Sequence, residues 1–123
     1  NEIYVYDHEP LEVWQRANLV LIGDAAHAAL PTSGQGACQA LEDAWHLARL
    51  WREGSSTQEL GWLLFEARQG KTRAVSEAGR RLARSLFSDD SERCRQRDEE
   101  ARGADYGALA EGMARFWGSG LPL

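Results

Sequence analysis

"LIGDAAHAALPTSGQGACQALEDA" spans residues 21–44 and joins two kinds of periodicity. The four residues 19–22, "LVLI", form a continuous apolar run stopped by Gly23, the pattern of a strand buried on both faces. From Gly36 onward the period becomes that of a helix. Ala37, Leu41, Ala44, Ala48 and Trp51 fall on one stripe, with Glu42, Asp43, His46 and Arg49 mostly elsewhere, and Gly54 with Ser55 ends the segment. The spacing predicts a helix over 37–53.

The residues between strand and helix carry the chemistry. Gly23 allows a tight turn and a close approach of ligand to backbone, and Asp24 places a carboxylate at the carboxyl end of the strand, where open α/β sheets bind ligands. A carboxylate there suits a sugar hydroxyl and repels a phosphate. Gly34, Gln35 and Gly36 stand at the start of the helix, where unpaired N–H groups and the positive dipole end favour negative charge. The segment thus offers a hydroxyl acceptor and an anion seat. Glycines before a helix more commonly serve chain geometry alone, so the pattern taken generically leaves both readings open.

Working outward, "IYVYD" at residues 3–7 is rich in β-branched and aromatic residues and reads as a short strand. Ser56 stands three residues before Glu59, the spacing of a capping box, so a second helix starts there and runs through Leu60, Leu64, Ala74, Leu82 and Leu86. Gly61, Gly70 and Gly79 weaken it without stopping it. "RQGKTRAVSEAGRRLAR" is basic, and "DDSERCRQRDEEARGAD" after it mixes both signs, the mark of a solvated helix face followed by a charged helix. Tyr106, Leu109, Met113, Phe116 and Trp117 fit one apolar stripe of a last helix.

The expected fold is an α/β fragment, mostly helical, with two N-terminal strands followed by three or four helices. Two strands do not make a stable sheet. Their neighbours must come from a longer chain, from another copy in a homo-oligomer, or from unrecognised strands. The chain begins at Asn1 and its only methionine is Met113, which reads as a piece of a longer polypeptide.

Composition narrows the class further. With 123 residues, 43% apolar and 27% charged, one ordinary globular domain is expected. A net charge of −5 argues against a general nucleic-acid binder. Cys38 and Cys94 match no metal-ligand spacing and read as free thiols of a reducing, cytoplasmic compartment. Neither a membrane span nor a secretory signal is visible.

The motif as a whole is specific: Gly-Asp-Ala-Ala-His, then a proline, then Gly-Gln-Gly, then Glu-Asp-Ala in the following helix. It strongly resembles the second FAD-binding motif of the flavin-dependent aromatic hydroxylases, the group containing para-hydroxybenzoate and salicylate hydroxylases. Upstream, "YDHEPLEVWQRANLVLIGD" resembles the approach to that motif, and downstream "LFEARQGKTRAV" resembles the aromatic and arginine pattern that follows it. The resemblance covers roughly residues 4–84.

The resemblance implies a Rossmann-like FAD-binding fold, with residues 1–54 as the C-terminal part of the FAD-binding domain and 55–123 as a C-terminal helical region of a single unit. Asp24 would accept hydrogen bonds from the ribityl hydroxyls, Gly23 would let the backbone approach, and Pro31 would lie beside the isoalloxazine ring. The backbone of Gly34, Gln35, Gly36, Ala37 and Cys38 would face the ring's pyrimidine edge, anionic when reduced. Cys38 departs from relatives with asparagine. No catalytic residue is singled out: His27 is expected to support the turn, Glu42 and Asp43 to face solvent or bond a cap, and Trp14 and Trp45 to be core or interface aromatics.

The implied reaction uses NADH or NADPH and O2, with an aromatic small molecule oxygenated through a flavin C4a-hydroperoxide. A related epoxidase, halogenase or reductase, or a helical assembly module keeping the motif only as structure, are the alternatives. Nothing here matches the Gly-x-Gly-x-x-Gly unit that holds the ADP half of FAD, so the chain by itself is expected to be inactive.

Overall fold

The computed structural model describes residues 5–121. They separate into two compact units, Asn1–Ala83 and Arg84–Leu123.

The first unit opens with an extended segment and a minimal hairpin. Strand β1 (Gln15–Arg16) pairs antiparallel with β2 (Leu19–Val20), with Gln15 opposite Val20 and Arg16 opposite Leu19. The turn between them puts Ala17 at a φ of 50°, a conformation that costs an L-residue side chain. The expected doubly buried strand over residues 19–22 is therefore corrected: Leu19 is 63% and Ile22 42% exposed. Among the described residues the ladder has two strands only, so no neighbouring strands flank the run on both sides.

The strand expected over residues 3–7 is also corrected. Residues 5–7 carry no ladder, and Ile3 and Tyr4 lie outside the described residues. Side chains hold this segment instead. Arg80 donates through Nε to Asp7 (2.6 Å), through Nη1 to Glu9 (3.0 Å) and through Nη2 to the His8 carbonyl (3.0 Å).

Helix α1 (Asp24–His27) is a single turn, followed by a 3-10 turn over Pro31–Ser33 and by α2 (Gly36–Arg52). The long α3 (Leu60–Leu86) begins four residues after Ser56, where the spacing expects its start, with a turn over residues 57–59 leading into it. Ser56 donates to Glu59 through its N–H at 3.3 Å and its hydroxyl at 2.6 Å, half of a reciprocal capping box. Those bonds hold the exposed Glu59 carboxyl below its ordinary pKa. Trp14, Ala26, Leu50, Leu60 and Leu64 form the core, with Val20, Leu21, Leu47, Leu63 and Phe65 packed against it.

Helix α2 is correctly bounded in the sequence but faces the other way. Ala37, Leu41, Ala44, Ala48 and Trp51 are exposed, whereas Gln39, Glu42, Asp43, His46 and Leu50 are buried. The inward face is polar because it meets cations of α3, described below.

In the second unit, α4 (Ser91–Gly103) is capped by Asp90, whose carboxylate accepts from the N–H groups of Glu92 (2.9 Å) and Arg93 (3.2 Å). Helix α5 (Tyr106–Gly118) is capped by Asp105, which accepts from the Ala108 N–H at 3.0 Å. Each cap satisfies donors left open by helix geometry. Neither helix buries a residue, so the apolar stripe of α5 forms at the expected spacing yet stays exposed.

Candidate functional site

Gly23 sets the geometry of the turn. It is buried at φ 56°, and its carbonyl accepts from the N–H groups of Ala26 and His27, both at 2.9 Å. A Cβ there would stand 3.1 Å from the Cβ of Ala40 on α2, so both the positive φ and the space favour glycine. His8 closes the other end of α1: its Nε2 accepts from the Ala28 N–H at 3.2 Å while Nδ1 donates to the Glu9 carbonyl at 2.8 Å. Gly34, at φ 65°, ends the 3-10 turn by donating to the Pro31 carbonyl at 2.9 Å. Thr32 ties that turn to α3 by donating to the Gly79 carbonyl at 2.9 Å.

The predicted residues then fall into two groups. Asp24 is exposed, and its carboxylate forms no hydrogen bond or ion pair among the described residues. Its Oδ1 lies 3.8 Å from where a Gly36 Cβ would be, which brings the carboxylate beside the first turn of α2. Gln35 caps that helix with no side-chain hydrogen bond, and the first intrahelical bond at this end runs from the Gln39 N–H to the Gln35 carbonyl at 3.0 Å. The N–H groups of Gly36, Ala37 and Cys38 therefore have no intrahelical acceptor. No acidic residue of the helix occupies its first turn, and Ala37 and Cys38 are exposed. Pro31 is exposed at the head of the 3-10 turn, and Gly34 at its end.

Behind the turn lies a charged cluster built on Glu42 and Asp43, the two residues expected to face solvent or bond a cap. Asp43 is fully buried and Glu42 nearly so, which corrects the solvent-facing expectation for both, while Asp43 does bond the Gly23 cap of α1. Through Oδ2, Asp43 accepts from the Gly23 N–H at 2.9 Å and from His27 Nε2 at 2.6 Å; through Oδ1 it accepts from Arg68 Nε at 2.8 Å. Burial pushes its carboxyl up, but the bonds from His27, Arg68 and Gly23 outweigh that and hold the pKa below the ordinary value.

Arg68 on α3 uses its whole guanidinium. Besides Asp43 it donates through Nη1 to Glu42 at 2.6 Å and through Nη2 to the Gln39 side chain at 2.8 Å and the Gln39 carbonyl at 3.2 Å. Lys71 donates to both Glu42 oxygens at 2.9 Å. Two buried carboxylates thus face two cations, with nearly every fork of the arginine used, as a buried ion cluster requires. The consequence for the site is mechanical: the backbone that presents Asp24 hangs from Asp43, and Asp43 is held by Arg68.

His27 therefore supports the turn by bonding the same carboxylate that holds Gly23, with its ring also tilted on Trp14 at 5.2 Å between centroids. His46 is a neighbour of another kind. It is buried, neither ring nitrogen has a partner among the described residues, and burial followed by the charges of Arg68 and Arg49 pushes its pKa down. The signal missed in the sequence is complementarity: adjacent carboxylates at 42 and 43 on one helix answer cations at 68 and 71, one turn apart on the next.

Comparison with known proteins agrees with this anatomy. A family model described as "FAD binding domain" matches residues 3–73. The chain is 42% identical over 66 residues to 6-hydroxynicotinate 3-monooxygenase of Pseudomonas fluorescens, covering 53% of this chain and 17% of that protein. It is 49% identical over 53 residues to FAD-dependent urate hydroxylase of Klebsiella oxytoca, covering 43% of this chain and 14% of the relative. Against the chloroplastic zeaxanthin epoxidase of Prunus armeniaca it is 39% identical over 57 residues, 43% of this chain and 9% of the relative. The matches thus span less than a fifth of each relative. With the Gly23 turn, its open carboxylate and the family match covering the same residues, the chain belongs to the FAD binding domain family.

Proposed function

We propose that this chain is the part of an FAD-dependent monooxygenase that receives the isoalloxazine side of the cofactor, within a Rossmann-like FAD-binding fold. In this reading residues 1–54 complete the FAD-binding domain and 55–123 form a helical region that supplies Arg68. The observation that carries it is the pairing of an open carboxylate, Asp24, with the uncapped first turn of α2. These groups fit the cofactor's chemistry. Asp24 accepts from ribityl hydroxyls, Gly23 holds the turn that presents it, Gly36 leaves the backbone approachable, and the N–H groups of Gly36, Ala37 and Cys38 stabilise negative charge on the pyrimidine edge. Gly34 and Gln35 shape the entry to that helix, and Pro31 borders the ring.

Bound FAD supplies the electron transfer and oxygen activation, while the chain orients the ring. The parent enzyme takes NAD(P)H and O2 as co-substrates and oxygenates a small aromatic molecule, a reading supported by relatives named as a hydroxynicotinate monooxygenase and a urate hydroxylase. An epoxidase parent is the second reading, supported by the zeaxanthin epoxidase match, and it uses the same flavin-facing residues.

Titrating FAD into the chain while following flavin fluorescence tests the site. Saturable binding that is lost in Asp24→Ala is expected. Absence of binding by the unsubstituted chain, or equal binding by the variant, would overturn the role given to Asp24 and α2.

A further inference from the structure

His8 lies outside the glycine turn, yet its ring reaches the helical turn that begins with Asp24. Nδ1 donates to the Glu9 carbonyl at 2.8 Å, so in the neutral ring Nδ1 carries the proton and Nε2 keeps its lone pair. That second nitrogen stands 3.2 Å from the Ala28 nitrogen and 3.3 Å from the Asp24 carbonyl oxygen. A carbonyl and an N–H four residues apart are the two groups that close a turn of α-helix. One side-chain nitrogen is therefore set against both halves of the closing pair of α1.

A nitrogen so placed has two incompatible uses. As an acceptor it takes the Ala28 N–H. Once the ring is protonated it is a donor, its acceptor within reach is the Asp24 carbonyl, and Ala28 loses the imidazole as partner. Histidine is the side chain whose charge ordinarily changes between pH 5 and 8. Helix α1 is a single turn, too short to hold itself by its own ladder, so the exchange of one bond at its end matters. The charges around the ring come from three elements. Its own segment carries Asp7, Glu9 and Glu12, α3 brings Arg73 and Arg80, and α1 brings Asp24 and His27. Arg80 takes Asp7, Glu9 and the His8 carbonyl together, which anchors the backbone bearing the ring to α3 in either protonation state. Among the described residues the imidazole itself bonds only backbone groups.

We propose that His8 is a proton-sensitive positioning residue for Asp24. The neutral ring holds the end of α1 through the Ala28 N–H, and the imidazolium pulls instead on the carbonyl of the residue that presents the flavin-facing carboxylate. Affinity for FAD is then greatest with His8 neutral and falls in acid. That effect on FAD rests on the reading of Asp24 given above, whereas the exchange of bonds at α1 does not.

Two measurements on the full chain separate these. An NMR titration from pH 8 to pH 5.5 follows the Ala28 amide together with the ring signals of His8, His27 and His46. The Ala28 amide is expected to shift with the midpoint of His8, and to lose that step in His8→Gln, whose side-chain oxygen accepts a hydrogen bond without titrating. FAD is then titrated at both ends of the range, following flavin fluorescence. Binding about threefold to tenfold weaker at pH 5.5, the worth of one hydrogen bond, is expected for the unsubstituted chain, and binding independent of pH for His8→Gln. An Ala28 amide that stays still, or follows His27 or His46, would overturn the exchange, and the unsubstituted chain alone suffices to read it. FAD affinity that changes with pH alike in both proteins would overturn the link to Asp24. No FAD binding at either pH would overturn the reading of Asp24 and the link together, while the Ala28 amide still decides the exchange at α1.

Discussion

Asp43 and Arg68 in the first unit keep 0% and 1% of their side-chain surfaces in solvent, whereas Glu92 and Arg95 on α4 keep 71% and 66%. Both are carboxylate–guanidinium pairs. They differ in what stands around them. The buried pair is bonded further to Gly23, His27, Glu42 and Gln39, and each bond holds a piece of backbone or another side chain in place. The exposed pair joins two residues three apart on one helix and organises nothing else. Charge density along the chain therefore says little about consequence; the number of elements that share a charge says more.

The sharpest way to break this contrast is Asp43→Ala. It leaves Arg68 buried against one fewer anion and frees the Gly23 N–H, so a loss of about 3–5 kcal/mol is expected, readable by urea denaturation of the chain. A loss below about 1 kcal/mol, the range of an exposed pair, would mean the cluster is no clasp. Next in size is Arg68→Lys, which keeps the charge and forfeits the fork that reaches Asp43, Glu42 and Gln39 together. About 1–3 kcal/mol should be lost in the same experiment, and a neutral result would show that charge alone suffices.

Acid should unpick the first unit in two stages. The folded pKa of His46 is depressed, so its contribution is fully present above the unfolded value of about 6.5 and is lost as pH falls below it toward the folded value. The folded pKa of Asp43 is depressed as well, so its contribution is present above about 3.9 and disappears as pH falls through its folded value. Stability measured from pH 7 to pH 3 should decline in both windows, and His46→Gln should flatten the upper one. An unchanged upper window in that variant would remove His46 from the account. The smallest effect belongs to α4: Arg95→Ala should change stability by no more than about 0.5 kcal/mol, and a larger change would erase the contrast between the units.

Much of the layout was legible in the residues, and the failures have physical causes. The end of α2 at Gly54 and Ser55 and the start of α3 near Ser56 and Glu59 follow from local backbone chemistry, which acts within a few residues and can be read in order. Asp24 beside Gly36 follows from the same short-range logic. The orientation of α2 does not. Its apolar stripe at Leu41 and Trp51 suggests an inward face, yet the cations that turn the helix over stand on α3, beyond the reach of any periodicity within α2. The short apolar run at residues 19–22 misleads for a related reason: burial of a strand is a property of its neighbours, and among the described residues it has only β1.

The Arg68 clasp also has a consequence in time. Asp43 comes 20 residues after Gly23, and Arg68 another 25 after Asp43. During synthesis the whole stretch quoted at the outset is therefore complete before the guanidinium that steadies it exists, and its glycine turn has to wait. A chain cut short ahead of Arg68 would contain every letter of that motif and still lack the shape the letters describe.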